Sequence, residues 1–321
     1  MPVMLSARLL GRRVVVRYRR CDGVLPPLSD VVGELLSLTP TTAIVAGPAG
    51  PVTVPVAQIV AARAVAADRR QILDLERISR RGWRAAEVVE LDGWLLHADL
   101  GWTGRANSVL PLGSPRRPLG GLLAEVERFY ADRGLPPQIQ LPLPARGLLD
   151  AELAGRCWSI ERSTVMLTAP IPAPEAGQDA TAATGHLELD IELEVAPSAA
   201  WLAGYHYRGG RLPEHAVRLL TRHDQIRFAS LIRAGRTVGI ARGTVDEGWL
   251  GVTAVEVAAD QRRSGVAGAL MRALRSWGAH LGATRCYLQV DAGNTAALGL
   301  YDRLGFIEHH RYHYRLAPTA T

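Results

Sequence analysis

Residues 262–268 read Arg-Arg-Ser-Gly-Val-Ala-Gly, between a strand-like run, WLGVTAVEVAA (249–259), and an amphipathic segment. A glycine-rich turn between a strand and a helix start offers unpaired backbone N–H groups and the positive end of a helix dipole, which together suit a phosphate. Gly265 has no Cβ and so permits close approach by an anion and a positive φ. Ala267 is the next position where a bulky side chain would block such a site. The same run also suits an ordinary helix start, and the loop alone does not separate the two.

The elements that must position this loop lie on either side. QIRFASLIR (225–233) and RTVGIARGTV (236–245) alternate as antiparallel strands joined by the Ala234-Gly235 turn, and 249–259 follows as a third strand. After the loop, Val266, Leu270, Leu274, Trp277 and Leu281 recur every three or four residues, one apolar helix face that Gly282 ends as a C-terminal cap. Competing phosphate cradles are absent. The chain has no GxxxxGK[ST], its 37 basic residues are all arginine, and no GxGxxG occurs here.

Composition narrows the class. The 321 residues predict two or three domains, and 48% hydrophobic with 21% charged residues is an ordinary globular balance. No apolar run reaches the roughly 18 residues of a membrane span. The N-terminus shows no cleavage-site pattern, so a cytoplasmic protein is expected. Cys21, Cys157 and Cys286 are widely spaced, which argues against a disulfide framework and a zinc site. The net charge of +6 comes from scattered arginines, which argues against a dedicated nucleic-acid surface. His309, His310 and His313 lie on the last strand, where His310 cannot share a face with both others, so no metal is expected.

With the residues that follow it, the loop resembles the acyl-CoA loop of the GNAT superfamily of N-acetyltransferases. That pattern is Arg or Gln, two residues, Gly, one residue, Gly or Ala, here filled by Arg262, Gly265 and Ala267. CYLQV (286–290), Asn294 and LGLYDRLGF (298–306) follow in the family's order, so the resemblance covers about 187–317. It implies a mixed central sheet and acetyl-CoA as co-substrate, with no metal. Arg262, Arg263, Ser264, Gly265, Val266, Ala267 and Gly268 would hold the pyrophosphate. Val255 and Val257 would pair with the pantetheine arm, and Asn294 would bond the cofactor. Tyr301 would lie near the thioester sulfur and protonate the leaving thiolate, as a phenol can. Where the family often has a base glutamate this chain has Gly251, which leaves Glu256 as the candidate base, with Glu247 and Asp291 as other nearby carboxylates. Tyr205, His206, Tyr207 and Arg208 cluster in the stretch (201–213) that in the family recognises the acceptor. Cys286 has nothing nearby to activate it as a nucleophile.

The chain also repeats itself. Gly101-Trp102-Thr103-Gly104 matches Gly248-Trp249-Leu250-Gly251 at an offset of 147. After one inserted residue the offset becomes 148, pairing Gly120 with Gly268, Gly134 with Gly282 and Trp158 with Phe306. In the first copy Arg117 or Pro118 falls where Gly265 lies, Leu153 replaces Tyr301, and Cys157 replaces Gly305. Its chemistry is lost, although RANSV (105–109) could contribute to a cleft between the copies.

The expected fold is mixed α/β: a duplicated GNAT fold with a central mixed sheet, preceded by a small all-β barrel. Residues 11–66 carry short β-branched runs broken by turns, resembling an Sm-like or SH3-like barrel. The expected domains are the barrel (1–67), a degenerate GNAT-like domain (68–170), a Pro/Ala/Gly/Thr linker (171–186) and a catalytic domain (187–321). The expected activity is acetyl transfer to an amine of a small molecule or peptide. Other classes left open are a different acyl donor, an acyl-CoA-binding regulator without turnover, and a nucleic-acid module built on the barrel.

Overall fold

The computed structural model describes residues 5–6, 9–20, 26–172, 190–207 and 212–318. Strands β1 (Arg13–Arg19), β2 (Leu28–Leu38), β3 (Thr42–Gly47), β4 (Gly50–Pro55) and β5 (Ile59–Ala64) form a sheet ordered β4-β3-β2-β1-β5. The alternation of β-branched residues buries one side, with Val14, Val16, Leu35, Ala43, Val45 and Val54 fully enclosed. The run 52–60 splits after Pro55 at a single 3-10 turn, where proline withholds an N–H. Among the described residues no ladder joins β4 to β5, so the sheet is open rather than a closed barrel.

Asp68 then caps α1 (Arg69–Arg81), accepting from the Gln71 N–H at 2.9 Å while the Gln71 side chain accepts from the Asp68 N–H. β6 (Glu87–Leu91), β7 (Trp94–Ala98), β8 (Val109–Pro111), α2 (Leu119–Ala131), β9 (Gln138–Leu143), α3 (Gly147–Gly155) and β10 (Ser159–Pro170) follow. The second copy is β11 (Asp190–Glu194), α4 (Ala199–Gly204), α5 (Ala216–Thr221), β12 (Ile226–Arg233), β13 (Arg236–Asp246), β14 (Trp249–Val257), α6 (Val266–His280), β15 (Arg285–Asp291), α7 (Thr295–Arg303) and β16 (Ile307–Leu316). Most of the expected linker, and Arg208, lie outside the described residues; Ile171 is buried and donates its N–H to Thr284.

Both copies share one eleven-stranded sheet, ordered β11-β12-β13-β14-β15-β10-β16-β9-β8-β7-β6. Outward from the central β10–β16 pair the two directions match. Each has an antiparallel neighbour (β15, β9), then a parallel one (β14, β8), then antiparallel strands. The last strand of each copy therefore sits against the other copy. Backbone conformation repeats as well: Leu100-Gly101 (φ 48° and 76°) matches Glu247-Gly248 (47° and 75°), and Cys157 (61°) and its counterpart Gly305 (81°) both have positive φ.

Helices α6 and α7 pack on one face with Val165, Leu167, Leu250 and Leu288, and α2 and α3 cover the same face further along. Helix α1 crosses the opposite face at the seam, with Leu75 and Ile78 against Met166 and Tyr287. Its fully buried Glu76 accepts from Gln140 Nε2 (2.7 Å) and meets His310 Nε2 (2.8 Å), tying α1 to β9 and β16. Helices α4 and α5 share that face around Trp201 and Phe228.

The glycines of β13 let α6 approach. A Cβ at Gly239 would lie 2.3 Å from Val266 Cγ1 and one at Gly243 2.9 Å from Leu274 Cδ2. Gly239→Val is therefore expected to lower the unfolding free energy by about 1–3 kcal/mol by overpacking. Chemical denaturation measures it, and wild-type stability would show that α6 is not seated this tightly.

Candidate functional site

The parallel ladder between β14 and β15 is short. It runs from Trp249↔Arg285 to Val252↔Leu288, although β14 continues to Val257 and β15 to Asp291. On its other side β14 stays paired with β13, with a register shift between Ile240 and Arg242 and a positive φ at Ala254. That irregularity turns the end of β14 away from β15. Glu256 lies opposite Ile240, and the Ala258 N–H donates to Val238 O at 2.9 Å. By antiparallel alternation the backbone groups of Val255 and Val257 then face the opening.

At the mouth of this opening, Gly265 caps α6 with φ 85°, and nothing lies within 4 Å of where its Cβ would be. The first N–H groups of α6, from Val266 onward, have no acceptor within the helix. Ser264 Oγ donates to Gln261 O at 2.6 Å, and Arg233 donates to Gln261 Oε1 and to Ser264 Oγ, which holds the loop from behind. Arg262, Arg263 and Ser264 are exposed, whereas Val266, Ala267 and Gly268 are buried. These groups suit a diphosphate followed by an extended amide chain.

The other expected residues gather around the opening to different degrees. Asn294 caps α7, its Oδ1 accepting from the Ala297 N–H at 3.0 Å, which leaves its amide NH₂ to donate to another partner. Tyr301 on α7 is buried beside Phe306 in the core below β15, and burial holds its phenol well above the usual range, hence protonated. Cys286 is enclosed, and burial pushes its thiol up to about 12, so it stays a thiol. Glu256 accepts from the His206 N–H at 2.7 Å, which brings the candidate base and the candidate acceptor loop together. Glu247 and Asp291 stand apart from this group: Glu247 pairs with Arg77, and exposed Asp291 accepts from the Gly293 N–H. At Gly251 a Cβ would lie 2.4 Å from Tyr287 Oη, so a glutamate has no room there.

The opening also holds side chains that motif reading did not single out. Trp102, from the first copy, lies 5.3 Å from Tyr207 and 6.3 Å from Tyr205 between ring centroids, and 6.1 Å from Trp83. The only signal for them was the RANSV run beside Trp102, because nothing in either stretch says which distant loop it will meet.

In the first copy the ladder between β8 and β9 is shorter still, pairing only Val109 with Ile139. There the gap is filled from within. Buried Arg146, at the position matching Asn294, donates through Nε to Pro111 O (2.5 Å) and through Nη2 to Leu112 O. Pro118 caps α2 where Gly265 caps α6, with φ −58° and no N–H to offer. Leu153 is fully buried at the position of Tyr301. A cavity of about 760 Å³ lies elsewhere, between the N-terminal sheet and α1, lined by Arg12, Glu34, Asp74, Arg77 and His309.

Solved structures share the arrangement. A GCN5-related N-acetyltransferase from Kribbella flavida is similar over 78% of this chain and 96% of its own (TM-score 0.53, 18% identity). A tandem GNAT protein from the clavulanic acid biosynthesis pathway is similar over 77% and 89% (TM-score 0.50, 11% identity). The fold, with its parted parallel strands, is thus a GNAT fold of tandem build.

Residues 69–315 match the family described as probable histone acetyltransferase Rv0428c C-terminal, and residues 8–63 match the Rv0428c N-terminal Sm-like domain. The chain belongs to this acetyltransferase family. It is 33% identical to the probable histone acetyltransferase Rv0428c of Mycobacterium tuberculosis, over 97% of this chain and 96% of that one. It is 28% identical to the uncharacterized N-acetyltransferase YobR of Bacillus subtilis, over 76% and 98%.

With one cleft open and one filled, calorimetric titration is expected to find one acetyl-CoA site per chain. Arg146→Ala is expected to keep that count at one while costing about 2–4 kcal/mol of stability, because two buried carbonyls lose their donor. A second site in the wild type would show that Arg146 does not close the first cleft.

Proposed function

We propose that this chain moves acetyl from acetyl-CoA to an amine by direct attack, using only the second copy. Acetyl-CoA supplies the thioester whose C–S bond is exchanged for the new C–N bond. The observation that carries the reading is the opening between β14 and β15. It presents the backbone of Val255 and Val257 beside a loop whose Gly265 has positive φ and open space above it. The N–H groups from Arg263 to Gly268 hold the pyrophosphate, with Arg262 alongside, and the Asn294 amide bonds the arm.

Tyr301 serves as the general acid that returns a proton to the departing sulfur, a role suited to a phenol that burial keeps protonated. Glu256 takes the proton from the acceptor ammonium, and Tyr205, His206 and Tyr207 line the acceptor side. We read 1–67 as an appended module, 68–170 as the copy that shapes the acceptor side, and 187–321 as the catalytic copy. The name of the mycobacterial relative suggests a protein lysine as acceptor, while the geometry equally admits a small amine.

Tyr301→Phe is expected to lower kcat about 10²- to 10³-fold in a CoA-release assay with acetyl-CoA affinity retained. Unchanged turnover would return Tyr301 to a packing role. Gly265→Val, strained at φ 85° and projecting into the loop mouth, is expected to weaken acetyl-CoA binding at least about tenfold by calorimetry. Wild-type affinity would remove this loop from the cofactor site.

A further inference from the structure

The acceptor side of the opening is unusually cationic. Arg105, in the loop before β8, places its guanidinium 4.7 Å from the centroid of Trp83, and fully buried Arg242 places its own 5.1 Å from that ring. Arg162 lies 5.0 Å over Tyr314, and a Cβ at Gly104 would touch both Arg162 Nη2 (3.1 Å) and the Tyr314 ring (3.2 Å). Among the described residues, none of Arg105, Arg162 and Arg242 forms an ion pair with a carboxylate. Arg242 and Arg162 are nonetheless engaged. Arg242 donates to Leu220 O and Gly82 O, and Arg162 donates to Gln138 Oε1.

Arg105 differs. It is half-buried, held by Trp83, and has no hydrogen-bond acceptor among the described residues. Its neighbours connect it to the candidate chemistry. Trp83 contacts Trp102, Trp102 contacts Tyr205 and Tyr207, and between those two tyrosines lies His206, whose N–H is held by Glu256. The Tyr205 phenol feels the charges of both Arg105 and Glu256. A partly dehydrated guanidinium with no anionic partner is a receptor for one, and its planar fork matches a carboxylate.

We propose that Arg105, supplied by the first copy, binds a carboxylate on the acceptor, so that the preferred substrate is a small amine that also carries a carboxylate. This rests on the acetyl-transfer reading of the same opening. The arrangement does two things for the chain. It anchors the acceptor with its amine toward Glu256, and its surplus positive charge favours the neutral form of that amine, the form that attacks. It also works against lysine-rich peptides, whose many ammonium groups meet like charge.

The test uses the full chain, acetyl-CoA and a matched acceptor set in a CoA-release assay. The set holds amino acids, their α-amides, their decarboxylated amines, a peptide with an acidic residue after its free N-terminus, and a lysine-rich histone-tail peptide. The wild type is expected to prefer the free amino acids over their amides and decarboxylated forms by at least about tenfold in kcat/KM. Arg105→Gln is expected to reduce that ratio to about one by raising acceptor KM, with the KM for acetyl-CoA unchanged; Arg105→Lys retains part of it. Equal turnover of acid, amide and amine by the wild type overturns the inference, as does a preference for either peptide. If acetyl-CoA binds and no amine turns over, the transfer reading fails and this inference with it. That result is distinct from indiscriminate turnover.

Discussion

The opening on which the proposed chemistry rests is made by two parallel strands that part after four paired residues. Had β14 and β15 stayed paired to their ends, the backbone of Val255 and Val257 would be consumed in a ladder and no edge would remain for a cofactor arm. The parting has a local cause. The register of β13 against β14 shifts next to Arg242, and Ala254 takes a positive φ. Buried Arg242 holds this irregular stretch in place, donating to the last carbonyls of α1 and α5 and to Thr253 Oγ1 at 3.3 Å.

The duplication has divided its roles. The first copy fills its own gap with Arg146, yet supplies what the second copy lacks. Its strand β10 pairs with both β15 and β16, so neither is left as a long unpaired edge. Its loop at 102–105 brings Trp102 against Tyr205 and Tyr207 and Arg105 against Trp83. The exchange of last strands makes the two copies one folded body. The N-terminal sheet is joined to this body through Glu34 and Arg285 at 2.9 Å, with the Glu34 carboxyl raised by its burial and partly restored by the arginine.

Much of the second copy was legible in the residues. The hairpin at Ala234-Gly235, the α6 face of Val266, Leu270 and Leu274, and the Gly265 cap are all local events, set by side-chain period and by φ preference. The repeat was legible for the same reason, since turns that require a positive φ persist at matched positions even after Gly305 becomes Cys157. The openness of the N-terminal sheet was not legible, because β-branched runs specify strands without specifying whether β4 and β5 meet.

The order of strands at the seam was equally hidden. Nothing in ERSTVMLTAP (161–170) says that it will lie between β15 and β16 rather than beside its own neighbours. The same holds for Arg146, which reads as an ordinary loop arginine until a gap in the backbone receives it. By itself, then, the sequence determined the local elements, the glycine-rich turn at 262–268 ahead of α6 and the loss of its Gly265 in the other copy. Only the tertiary structure decided which cleft is open and which is filled, and which arginine of the first copy stands beside Trp83. The reason is that these depend on contacts between residues over a hundred positions apart, where period and propensity carry no information.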